Sequence, residues 1–186
     1  YIVKACDVII HMPIFFYKED AMQHVQTRST TSALVLTAVL IALATLFTMY
    51  TKIPVPGIRG YFNVGDVVIM TSALLLGRKY GAYIGAIGPA LADLFLGYAV
   101  FVPITFVVKG IEGYLVGTVY NNKTTTSALV ATIVGGIIIV AGYFIAEYFV
   151  FDPGVAIASI LTNIIQAVMS VIVSMILYAI LRKRLG

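Results

Sequence analysis

The chain has 186 residues, 61% of them hydrophobic and only 11% charged. Soluble domains carry about a quarter charged residues, so this composition excludes an ordinary soluble domain and places the chain in a lipid bilayer. The formal net charge is +4 and there is one cysteine, Cys6, which excludes an internal disulfide and a cysteine-based metal site.

Residues 1–30 read as an N-terminal extension or an interfacial segment, and residues 31–186 as one membrane domain. The run VIIHMPIFF is too short to span and Pro13 interrupts it. It lacks the basic start, long apolar core and small-residue cleavage site of a signal peptide. Met22 is a natural candidate for a start. His11 and His24 both lie in this segment, so no span holds a histidine for metal or acid–base chemistry. No Gly-rich loop followed by Lys-Ser/Thr occurs, so the chain is not itself an ATPase and binds no cofactor of its own.

Six apolar segments follow. Span one is Thr31–Tyr50, opened by the cap-like STTS and closed before Ile53-Pro54. Span two, Phe62–Leu76, covers only ~20–25 Å of a ~30 Å hydrocarbon core. The turn Gly77–Gly81 leads to span three, which runs to Tyr98. Span four starts at Pro103, a favoured first helical position, and ends near Tyr120. After the polar loop 121–126, span five is Ser127–Phe149. Asp152-Pro153-Gly154 turns the chain into span six, Val155–Leu181. The expected fold is all-α: an integral membrane six-helix bundle.

Basic residues set the orientation. With the N-terminus inside, the cytoplasmic face receives Arg28, Arg78, Lys79, Lys123, Arg182, Lys183 and Arg184. The outer face receives only Lys52 and Arg59. Both termini are therefore expected in the cytoplasm.

Charge inside hydrocarbon costs several kcal/mol, so intramembrane polar groups mark cavities or partners. Asn63 and Asp66 open span two, Asp93 lies before the outer end of span three, and Tyr143 and Glu147 are in the outer part of span five. Lys109 and Glu112 approach the midplane in span four; Asn163 and Gln166 lie two to three turns into span six. This lopsided distribution predicts an outward-facing binding pocket. Lys109 and Glu112 are three apart and share a face; Asp93 is an alternative partner for Lys109. Ser159, Asn163, Gln166, Ser170 and Ser174 form one polar stripe. Gly110, Gly113 and Gly117 permit close helix approach. Asn163, Gln166 and Glu147 are expected to touch ligand, with Lys109 and Glu112 as the pocket floor.

Each feature has a plainer reading. Lys109–Glu112 is also read as a structural ion pair, the span-six stripe as interhelical glue, and Asn63 and Asp66 as a helix cap. Tyr61, Phe62, Tyr98 and Phe101 also read as an interfacial aromatic belt. Their convergence on one side favours a pocket.

The loop TKIPVPGIRGYFN is a candidate lid, with Pro56 and Arg59 in it and Tyr61 and Phe62 as rings for stacking on a flat ligand. Span one is nearly featureless apart from small residues. Ala38 and Ala42, four apart, offer a face for close packing with another helix.

Four pieces of residues 31–184 carry a family resemblance: Ala38-x-x-x-Ala42, YFNVGDVVIM, GAIGPALADLFLGY and VPITFVVKGIEGYLVG. Together they resemble S components of energy-coupling factor (ECF) vitamin transporters. Within these the chain is similar to the hydroxymethylpyrimidine/pyridoxine-type branch of the riboflavin-type group. The resemblance implies a substrate-capturing subunit of an ABC importer, not an enzyme, in the bacterial cytoplasmic (inner) membrane. It implies an outward vitamin pocket capped by the first loop, and a subunit that topples in the membrane. It implies as partners a transmembrane coupling subunit contacting Ala38 and Ala42, and two ABC ATPases that use ATP; no nucleic acid is expected. Riboflavin or another vitamin is the alternative substrate. The alternative mechanism is an ion-coupled secondary transporter using Asp93, Lys109 and Glu112, though no inverted repeat accompanies it. A membrane enzyme lacks a nucleophile motif.

Overall fold

The computed structural model describes residues 30–54, 61–120 and 124–185. Chain contacts divide it into two units, residues 1–36 and 37–186. The first contributes only the opening turns of one helix to the described residues. The second unit holds everything that follows.

Six helices are described: α1 Thr30–Tyr50, α2 Asp66–Leu76, α3 Arg78–Phe95, α4 Phe101–Val119, α5 Thr125–Val150 and α6 Pro153–Leu185. Two short strands, β1 Ile53–Pro54 and β2 Tyr61–Phe62, pair antiparallel with Ile53 opposite Phe62. The all-helical expectation holds. α1, α4, α5 and α6 are long and apolar enough to cross a membrane, whereas α2 is an apolar helix of 11 residues.

The element boundaries correct the sequence expectation in four places. The expected turn Gly77–Gly81 shrinks to Gly77, whose φ of 86° reverses the chain, and the third helix begins at Arg78. Phe62 does not begin the second helix; its backbone, with that of Tyr61, is committed to the ladder with β1, and the helix starts at Asp66. The third helix stops at Phe95, not Tyr98, because Gly97 at φ 81° turns the chain and the Tyr98 amide returns to the Asp93 carbonyl. The fourth begins two residues before Pro103, which sits in the first turn where no amide hydrogen is needed. Local chemistry explains the remaining ends. Thr124 accepts from the Ser127 amide at the start of α5, and Asp152 accepts from the Gly154 and Val155 amides at the start of α6.

α3 and α4 pack backbone to backbone. A β-carbon on Gly85 would lie 2.1 Å from the Lys109 carbonyl oxygen, and one on Gly113 2.1 Å from that of Gly81. The glycines read as packing devices are therefore packing devices. α1 meets α3 where Thr45 donates to the Gly88 carbonyl (2.9 Å). The end of the bundle carrying the β-ladder is called the hairpin end here. At the far end an apolar core gathers Met70, Ala73, Leu74, Val116, Ala131 and Tyr178.

Candidate binding cavity

Asp66 opens α2 and is fully buried, as are Lys109 and Glu112 on α4. The Lys109 ammonium pairs with the Asp66 carboxylate and lies 3.4 Å from Glu112 Oε2. Gln166 of α6 completes this unit: its Nε2 donates to Asp66 Oδ2 at 2.7 Å, and its Oε1 accepts from the Asn63 amide at 3.1 Å. Asn63 Oδ1 in turn accepts from the Gly65 amide at 2.9 Å. One lysine thus answers two carboxylates, and one glutamine ties α6 to the chain entering α2. Such a network holds only while every member is present, because a buried charge left alone is costly.

Above Lys109, toward the hairpin, is a cavity of about 40 Å³, enough for a few waters. Every helix except α2 reaches it. Thr48 comes from α1, Pro89 and Asp93 from α3, and Phe101, Thr105 and Lys109 from α4. Tyr143 and Glu147 come from α5; Ser159, Thr162, Asn163 and Gln166 come from α6. Asn63, just ahead of α2, also lines it. Thr105 and the Tyr143 hydroxyl are 3.0 Å apart, and the Tyr143 ring lies 5.4 Å from the Lys109 ammonium. Ser159 donates to Glu147. Among the described residues, Thr48 Oγ1 and Asn163 Nδ2 are buried without a hydrogen-bond partner. They are polar atoms beside a cavity with no partner among the described residues.

Seven of the nine sequence-predicted binding residues meet at this wall: Asn63, Asp93, Lys109, Tyr143, Glu147, Asn163 and Gln166. Asp66 and Glu112 stand behind Lys109 instead, so the floor is Lys109 with both carboxylates beneath it. The alternative pairing of Lys109 with Asp93 is not what the structure shows; its ion-pair partners are Asp66 and Glu112. Asp66 is an ion-pair partner rather than a helix cap. Of the lid residues, Pro56 and Arg59 lie outside the described residues, and Tyr61 and Phe62 are described only through their backbone pairing. Ala38 and Ala42 lie on the exposed side of α1.

Thr48, Thr105, Thr162, Pro89 and Phe101 line the cavity without having been singled out for it. Thr105 lies one turn from Lys109, and that spacing is a usable signal. Thr37, Thr45 and Thr48 are all buried on one side of α1, so span one is not featureless; its hydroxyl face was hidden among aliphatic neighbours. Phe101, only 7% exposed, is a cavity wall rather than an interfacial ring.

The model of the ECF-type riboflavin transporter S-component family matches residues 28–183. An uncharacterized protein in the gap 3′ region of Pyrococcus woesei is 41% identical over 145 residues, 76% of this chain and 96% of that protein. The thiamine precursor transporter HmpT of Lactococcus lactis subsp. cremoris (strain MG1363) is 28% identical over 164 residues, 87% of this chain and 92% of the transporter. A solved S component of a bacterial ECF transporter superposes with a TM-score of 0.70 at 22% identity, covering 85% of this chain and 99% of its own. At that identity the likeness is one of fold.

Proposed function

Because this chain belongs to the ECF-type riboflavin transporter S-component family, we propose that it captures a small heteroaromatic vitamin precursor, of hydroxymethylpyrimidine or pyridoxine type, in the cavity beneath the hairpin. As an S component it is a membrane protein serving vitamin uptake and associates with an ECF coupling module. In this reading both termini are cytoplasmic, and the module comprises a transmembrane coupling subunit docked on the Ala38–Ala42 face and two ABC ATPases that spend ATP.

The observation that carries the reading is the pair of unanswered buried donors, Thr48 and Asn163, in a cavity flanked by Phe101 and Tyr143. A flat ring with nitrogen and hydroxyl acceptors satisfies both needs. The thiamine precursor transporter favours one ring over the three fused rings of riboflavin, the solute in the family's description. At about 40 Å³ the cavity must widen even for one ring. Family membership argues against the ion-coupled secondary transporter.

Mass spectrometry of small molecules carried through purification identifies the solute, and calorimetric titration measures it. Asn163→Ala should weaken binding about 5–30-fold, the worth of one hydrogen bond in a buried site, while the protein melts normally in detergent. Unchanged affinity defeats the assignment. Ala38→Leu with Ala42→Leu should abolish co-purification of the coupling subunit and spare solute binding; retention in a pull-down defeats the docking face.

A further inference from the structure

Glu147, near the hairpin end of α5, is 3% exposed and lines the cavity. Its one described partner is a neutral hydroxyl, Ser159 Oγ, which also lies 3.0 Å from the Ala156 carbonyl. A hydroxyl has a single proton for these two acceptors and brings no charge. The buried cation on the same wall, Lys109, is already held between Asp66 on α2 and Glu112 on its own helix. The remaining titratable groups around the cavity are Asp93 on α3 and Tyr143 on α5. α6 contributes the neutral Ser159, Thr162, Asn163 and Gln166. At the mouth, Lys52 stands 4.8 Å over the Tyr98 ring, and Asp152 is occupied as the cap of α6. A carboxylate so deep in a bundle stays ionised only beside an opposite charge and otherwise takes up a proton; no described residue supplies that charge to Glu147.

The geometry points to a solute bound as a cation: a nitrogen heteroaromatic ring, protonated on a ring nitrogen, whose N–H faces Glu147 while Phe101 and Tyr143 flank its plane. This rests on the functional reading above and narrows it to basic rings, excluding neutral flavins. The proton comes from solvent with the solute. Wherever it resides between nitrogen and oxygen, the complex holds one proton more than a neutral ring plus an ionised carboxylate. Affinity therefore rises as pH falls and levels off once either free partner, the ring or Glu147, already carries that proton. The cation also finds the electron-rich faces of two aromatic rings.

The test uses the full chain in detergent, stripped of co-purifying solute, with hydroxymethylpyrimidine titrated calorimetrically from about pH 5.5 to about pH 8.5. Wild-type affinity should fall about tenfold per pH unit at the alkaline end, where the free ring and the free carboxylate are both deprotonated, the slope for one linked proton. Glu147→Gln should lose that slope and bind at least about tenfold more weakly at the acid end, the charge-assisted hydrogen bond having been replaced by a neutral one. Ser159→Ala, which keeps the carboxylate, should retain the slope. If Glu147→Gln does not survive purification, proton uptake by the wild type decides, measured near pH 8 in buffers of different ionisation enthalpy. A flat wild-type profile, no proton uptake, or a Glu147→Gln profile parallel to wild type overturns the charge assignment while leaving the solute class standing. Failure of hydroxymethylpyrimidine to bind at any pH, with riboflavin binding instead, overturns the functional reading and this inference together.

Discussion

At the hairpin end Asn63, Asp66, Asp93, Lys109, Glu147 and Gln166 face the interior; farther in, α2, α4, α5 and α6 deliver Met70, Leu74, Val116, Ala131 and Tyr178. Both regions are buried, yet they are held by different forces. The far end is stabilised by apolar contact, which is non-directional and tolerates small changes of shape. The hairpin end depends on directed pairs across long stretches of chain, Asp66 with Lys109 and Asp66 with Gln166, and keeps a cavity as well. A protein that only needed to be stable would fill that space. Polar groups left facing it are what a binding protein gains from giving up packing.

Substitutions at four sites set one end against the other. The largest effect is expected from Lys109→Met, which leaves Asp66 and Glu112 facing each other without a cation. It should cost about 3–5 kcal/mol and abolish solute binding, seen as a lowered melting temperature in detergent and a flat titration. Adding Glu112→Gln should recover part of the stability, because one carboxylate charge is removed. No recovery would show that the cluster acts through packing rather than charge.

Next come two glycines on the same seam. Gly85→Ala and Gly113→Ala each drive a methyl group into a main-chain carbonyl, and each should cost about 1–3 kcal/mol. The Gly85 substitution displaces the carbonyl of Lys109 itself, so it should weaken solute binding as well. Gly113→Ala presses on Gly81, away from the cavity, and should leave affinity unchanged. Equal losses of affinity would mean that the two ends are not separable. The smallest effect belongs to Tyr120→Phe. It removes a hydroxyl 2.5 Å from that of Tyr178, costs about 1 kcal/mol in thermal melting, and should not alter a titration.

Much of this was readable in the chain because a charge in an apolar run is conspicuous. Lys109, Glu112 and the span-six stripe could be placed on faces by helical spacing alone. The pairing across elements could not, since nothing in the spacing says that Asp66 and not Asp93 answers a lysine 43 residues away. Gln166 looked like one more ligand donor, yet both ends of its amide are engaged by Asp66 and the Asn63 backbone. Phe62 read as the start of a helix because an apolar aromatic suits a span, whereas a two-residue ladder is set by register with Ile53 and Pro54. Threonines were overlooked for a related reason: a hydroxyl among aliphatic residues is a weak signal until its burial is known. Thr48 and Thr105 are both almost wholly buried.

The glycine seam bears on how a cavity of water size could receive a ring. Where main chain presses directly on main chain, as between α3 and α4, there is no slack, and those two helices travel as a slab. α5 and α6 instead border an open apolar groove of about 590 Å³ edged by Ile137, Phe144, Ile164 and Ile172. A guest in the cavity therefore meets an unyielding wall on the α3–α4 side. The slab meanwhile keeps its lysine anchored as a fixed post.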